Sequence, residues 1–107
     1  MSMAIDTART PEMVDERLPG WLDEAQQMMH DYYHRVDMPN QTPQLYIAGG
    51  RKYIKIGRRC SGSNSVWCFI RAQDGAILKA ASWKAPALNF TRGSIFDQKT
   101  PLQPYGF

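Results

Sequence analysis

Between residues 51 and 71, cations and aromatic rings are interleaved: Arg51, Lys52, Tyr53, Lys55, Arg58, Arg59, Trp67, Phe69 and Arg71. Lys84 and Arg92 add two more cations downstream. These residue types suit a single-stranded nucleic acid. Bases stack on ring faces, at roughly 1–3 kcal/mol per base, while Lys and Arg follow the phosphates. Open four-stranded sheets that read single-stranded RNA work on the same principle. Trp, Tyr and Arg also dominate protein–protein interfaces, so a protein partner is the rival occupant. No RNP-type motif, helix-turn-helix or zinc-finger spacing accompanies the cluster.

Other chemistries find less to work with. His30 and His34 stand four residues apart, close enough on a helix to approach one ion. However, Asp31 stands where a zinc-hydrolase helix carries Glu, the chain has no further His, and a third ligand would have to be Asp37 or a distant carboxylate. The pair therefore reads as solvent-edge histidine, and no metal or other cofactor is expected. Cys60 and Cys68 flank residue 64 symmetrically. A symmetric hairpin would put them opposite each other, within disulfide reach. Nothing near Met1 reads as a secretory signal, so thiols are expected, with Cys68 as a small apolar filler. Gly49-Gly50-Arg51-Lys52 joins two strands rather than opening a helix, so it lacks the context of a phosphate loop. With no catalytic constellation, the chain reads as a non-enzyme.

The elements that position these residues follow from periodicity. Residues 1–9 have none and read as a flexible arm. Thr10-Pro11 can cap and open a helix, with Glu12, Asp15 and Glu16 at the favourable end of its dipole. Pro19-Gly20 should interrupt it. A second helix is predicted over 21–37, with Leu22, Ala25, Met28, Met29, Tyr32, Tyr33 and Val36 on one stripe. Met38-Pro39-Asn40 stops it. The period then becomes alternating, giving four strands over 44–48, 52–58, 66–72 and 76–81, with turns at Gly49-Gly50, 61–64 and Asp74-Gly75. Residues 82–107 read as an irregular tail with a helical turn near 85–89. The expected fold is α+β: one domain, with an acidic helical segment (10–38), a basic antiparallel meander (44–81) and that tail. No apolar run reaches the roughly 20 residues of a membrane span.

Side chains alternate across a strand. Ile54, Ile56, Val66, Cys68 and Ile70 then share the helix-covered face, joined by Leu45 and Ile47 and by Leu78 or Ile77. Tyr53, Lys55, Trp67, Phe69 and Arg71 share the other, bordered by Arg51, Arg58 and Arg59. The competing expectation is that the tail packs Trp83, Phe90, Phe96 and Tyr105 over Trp67 and Phe69 as a second small core. Charge is split in the same way. Residues 1–44 hold three cations against eight carboxylates (−5), and residues 45–107 ten cations against two (+8), which sum to the chain's +3. Such asymmetry suggests a polyanionic partner, or a helix and sheet whose fields partly cancel.

Three stretches carry a resemblance: residues 65–70 (SVWCFI), 74–86 (DGAILKAASWKAP) and 92–97 (RGSIFD). Over about residues 51–97 the chain resembles small uncharacterised accessory proteins of tailed bacteriophages. The resemblance implies a protein of the bacterial host cytoplasm and no reaction. The function expected from charge, size and resemblance is binding and modulation of a host nucleic-acid-handling or defence complex. The partner would be a host protein, a ribonucleoprotein or a single-stranded nucleic acid, with no membrane involved. A self-associating assembly protein, such as a homodimer with acidic helix on basic sheet, is the alternative. A small hydrolase using His30 and His34 is the third reading.

Overall fold

Thr10 opens the first element as expected. Its backbone is extended and its Oγ1 accepts from the Met13 N–H at 3.3 Å, while Pro11 fills the first helical position. The computed structural model describes residues 10–88 and 91–97. The expected arm (1–9), Phe90, Tyr105 and part of the helical turn near 85–89 lie outside them.

Helix α1 runs unbroken from Pro11 to Arg35, so the expected interruption at Pro19-Gly20 does not occur. Pro19 and Gly20 face solvent, while Val14, Leu18, Trp21, Ala25, Met29 and Tyr33 form one buried stripe through them. A mid-helix Pro costs about 3 kcal/mol. Burying each large apolar side chain contributes roughly 1.5–3 kcal/mol, so the stripe outweighs the Pro. Arg17 also straps the weak point. Its Nη1 and Nη2 donate to the two Glu24 carboxylate oxygens at 2.9 Å, and its Nε donates to the Ile95 carbonyl at 2.8 Å. The helix ends two residues before the expected 37. Asp37 takes a left-handed conformation (φ 62°), and the Met38 N–H reaches back to the Tyr33 carbonyl at 2.8 Å. That is the Schellman closure, here with Asp where Gly is usual. A 3₁₀ turn, Pro39–Gln41, leads into the sheet.

The sheet is an antiparallel meander in chain order: β1 (Gln44–Gly49), β2 (Tyr53–Cys60), β3 (Ser63–Arg71), β4 (Ala76–Leu78) and β5 (Gly93–Ser94). The α+β class stands, with five strands rather than four. The fifth comes from the segment expected to be irregular, and β4 stops at Leu78. From Gly93 the chain supplies Ile95, fully buried, and Phe96, packed against the same core, so part of the tail completes the helix-side core.

Two local features reset the expected faces. The β2–β3 turn is only Ser61-Gly62, both with positive φ (52° and 82°), as a two-residue hairpin turn requires. Cys60 then pairs with Ser63, and Cys68 with Ile56, so the two cysteines are not opposed and both are free. Further along, Ile56 pairs with Cys68 but Gly57 with Val66, which leaves Trp67 as an extra residue in β3. Such a bulge breaks the alternation. Trp67 joins Cys68 on the helix side, where it stacks on Trp21 with centroids 5.7 Å apart. It is 2% exposed and belongs to the core, contrary to its expected place on the open face. Ile47, expected in the core, is 46% exposed on the edge strand. Gln26 ties that edge to α1, accepting from the Leu45 N–H (2.8 Å) and donating to the Pro43 carbonyl (2.9 Å).

Candidate nucleic-acid interface

Strand β2 builds the face away from the helix. Its alternation is unbroken, so Tyr53, Lys55, Gly57 and Arg59 point outward while Ile54, Ile56 and Arg58 point to α1. Gly57 has a specific use. A Cβ there would lie 2.4 Å from Cζ of Tyr46, so only glycine lets that ring lie against β2. Arg59 then sits over the ring, its guanidinium carbon 4.6 Å from the centroid. Asn64 Oδ1 fixes both, accepting from Arg59 Nε at 3.1 Å and from the Tyr46 hydroxyl at 3.2 Å.

A second ring–cation pair comes from the loop after β4. Ala80 bridges to Pro86, and the Ala81 and Ser82 N–H groups both donate to the Ala85 carbonyl. Ser82 Oγ accepts from the Lys84 and Ala85 N–H groups. This tight loop holds Trp83 over Lys55, with Nζ 4.1 Å from the ring centroid and the ring 46% exposed. Lys52 Nζ lies 5.7 Å from the Tyr53 centroid, a third pair. Lys55, Tyr53, Phe69 and Lys84 line a shallow depression of about 250 Å³ beside Gly49-Gly50.

The expected residues divide. Tyr53, Lys55 and Arg59 share the outer face, Lys84 joins Lys55 at the depression, and Arg51 and Lys52 are exposed in the β1–β2 turn. Phe69 lies on that face between Lys55 and Leu78, but is 2% exposed and cannot receive a base. Trp67 is on the wrong side. Arg58 is also turned away: its Nη2 donates to the Tyr33 hydroxyl at 3.0 Å under the end of α1. Arg71 is engaged in the β3–β4 turn, where Nε and Nη2 donate to the Asp74 carboxylate at 2.9 and 2.8 Å. Asp74 also accepts from the Ala76 N–H, so this pair shapes the turn. Arg71 and then that backbone N–H hold the Asp74 carboxyl below its ordinary range. Arg92 is exposed next to β5, its N–H donating to the Ile77 carbonyl at the far side of the sheet.

Sequence reasoning passed over Tyr46 and Trp83 as platform rings. Tyr46 was legible: it lies between Leu45 and Ile47, and strand parity points it outward. Trp83 depended on the loop geometry, which no periodicity encodes.

The charges sit on opposite surfaces. Glu12, Glu16 and Asp23 are exposed on the outward side of α1, two layers from the cations of the outer sheet face. His30 and His34 share that outward side and are exposed. Among the described residues no group of three or more His, Cys, Asp or Glu is arranged to hold a metal ion. No helix among them is long and apolar enough to cross a membrane.

Residues 6–102 match a family of unknown function, DUF7717, and the chain belongs to that family. No curated protein and no solved structure matches the chain.

Proposed function

We propose that this DUF7717 member is a non-enzymatic binding protein whose outer sheet face takes a single-stranded nucleic acid. The carrying observation is the set of ring–cation pairs, Tyr46 with Arg59, Trp83 with Lys55 and Tyr53 with Lys52, each with one member on β2. Each pair offers a π surface beside a cation, which is what a base and its phosphate need. Asp74 and Asp97 are the only carboxylates in residues 39–97, and Asp74 is already held by Arg71, so little opposes a polyanion there. The resemblance over residues 51–97 favours a ligand belonging to a host nucleic-acid-handling or defence complex in a bacterial cytoplasm, which the protein would inhibit.

Fluorescence anisotropy with a labelled oligothymidylate at two salt concentrations tests the reading. Counterion release makes affinity fall as a power of salt, with a slope of about −0.7 per phosphate neutralised on a single strand. Four cations on the face (Lys52, Lys55, Arg59 and Lys84) then give a slope near −3. An absence of binding at low salt would remove the nucleic-acid reading. The segregation of acidic helix and basic sheet to opposite surfaces favours one other reading, head-to-tail self-association. Light scattering checks it: assemblies that dissociate as salt rises support it, and a monomer at low salt excludes it.

A further inference from the structure

The depression of about 250 Å³ on the outer face differs from the other hollows of the surface in its charge. The hollow at the end of α1 sets Asp37 beside Arg58, and the one beside β5 sets Asp74 and Asp97 beside Arg71. The depression is lined by two lysines, Lys55 and Lys84, and by no carboxylate. Neither lysine is in an ion pair among the described residues. Lys55 Nζ is held 4.1 Å from the Trp83 ring centroid, an attraction that leaves its charge and its N–H donors available. Lys84 follows Trp83 in the same loop and is exposed. Its backbone N–H is tied to Ser82 Oγ at 3.3 Å, which fixes where its flexible stem begins.

The β1–β2 turn borders the depression without a side chain. Gly49 and Gly50 have φ of 103° and 116°, a region where other residues are strained. A Cβ on Gly50 would also lie 2.1 Å from the Tyr53 carbonyl oxygen. A group in the depression therefore meets bare backbone on that side. The depression also stands at one end of the face. Tyr46 lies against Gly57 and Trp83 over Lys55, while Tyr53 starts β2. A strand stacked on Tyr46 and then on Trp83 reaches the depression last, where the sheet turns at Gly49-Gly50.

We propose that this depression takes the terminal phosphomonoester of a single-stranded nucleic acid, with Lys55 and Lys84 on the phosphate oxygens and the adjoining base on Trp83. The inference rests on the outer face taking a single strand. A phosphomonoester carries about −1.5 to −2 at pH 7 and three acceptor oxygens, against a single charge on each internal phosphate. Two ammonium groups with no competing carboxylate match the end group better than the interior of the strand. A 5′ and a 3′ end present the same chemistry, and the experiment separates them.

Competition against an internally labelled oligothymidylate, followed by anisotropy at low salt, uses four unlabelled competitors. Three have one length and carry a 5′-phosphate, a 3′-phosphate or hydroxyls at both ends. The fourth is one nucleotide longer with hydroxyl ends, so it adds a phosphate but no monoester. One or other phosphorylated form should compete about fivefold better than the hydroxyl form, as one added charge-assisted contact at an exposed site implies. The longer competitor should stay within about twofold of the shorter. Lys84→Gln should cut the preference for the phosphorylated end below about twofold. Arg59→Gln, at the other end of the row, should weaken all four competitors alike and keep the preference. Equal competition by phosphorylated and hydroxyl ends, a gain matched by the longer competitor, a preference that survives Lys84→Gln, or one lost equally in Arg59→Gln each overturns the proposal. Where the hydroxyl form still binds, only the end site falls and the reading of the face stands; where no oligonucleotide binds, both fall.

Discussion

Trp67→Ala and Trp83→Ala should have opposite consequences, though both remove a tryptophan. Trp67 is 2% exposed and stacked on Trp21, joining the middle of α1 to β3. Truncating a buried Trp costs about 3–5 kcal/mol, which includes the lost ring–ring contact of about 0.5–1.5 kcal/mol. At roughly 0.05–0.15 kcal/mol per residue, a chain of this length has a total stability of about 5–15 kcal/mol. The substitution therefore removes from about a fifth to all of it. With a urea m-value near ~1.5 kcal/mol/M, the midpoint should drop by about 2–3 M. Trp83 is 46% exposed at a loop tip, and its truncation should change stability by less than about 0.5 kcal/mol. Oligonucleotide affinity should instead fall by about 1–3 kcal/mol, or 5- to 150-fold. Urea unfolding followed by far-UV circular dichroism avoids using the altered residues as reporters. A Trp67→Ala midpoint within about 0.5 M of wild type would refute the placement of Trp67 in the core, and with it the bulge in β3.

Three further outcomes follow from the same contacts. Gly57→Ala should displace the Tyr46 ring, because the added Cβ meets it at 2.4 Å; we expect about 1–3 kcal/mol of destabilisation and weaker oligonucleotide binding, read by melting and anisotropy. Asp74 has its pKa lowered from 3.8 by Arg71, so its contribution is present above that value and is lost as pH falls through the lower folded value. Thermal melts from about pH 5 down to pH 2.5 should therefore fall more steeply for wild type than for Asp74→Asn, by less than about 1 kcal/mol given the partial exposure of the pair. Burial pushes the Cys68 thiol well above its ordinary range while Cys60 is half-buried, so Ellman's reagent should titrate one thiol in the native protein and two in urea.

The helix stripe and the strand alternation made the layers legible, since period 3.6 and period 2 each mark a buried face. The N-terminal cap at Thr10 and the Asp74-Gly75 turn were equally plain, because their chemistry is local. Three features were not. Pro19 reads as a breaker in any local account, and its tolerance depends on the distant core behind it and on Arg17 reaching Glu24 and Ile95. The bulge carries Trp67 to the helix side and leaves Val66, expected in the helix-side core, opposite Gly57 on the outer face, with no local sign, because bulges answer to pairing with another strand. The β2–β3 hairpin is centred between Ser61 and Gly62, not at residue 64 as opposing the two cysteines requires, and pairing rather than local composition sets that centre. For the site, Lys55, Arg59 and Tyr53 followed from parity alone. Arg58 did not, because its adjacency to Arg59 suggested a shared patch where strand alternation separates them.

The account's central claim is that the outer sheet face, and not the acidic helix, meets a nucleic acid. Amide chemical-shift mapping of the ¹⁵N-labelled chain with unlabelled oligothymidylate at low salt tests it most directly. The account predicts saturable shifts at Tyr46, at Tyr53, Lys55 and Arg59, and at Trp83 and Lys84, with Glu16 and Asp23 unmoved. Shifts concentrated on α1, or no saturable shift on the outer face, would contradict it.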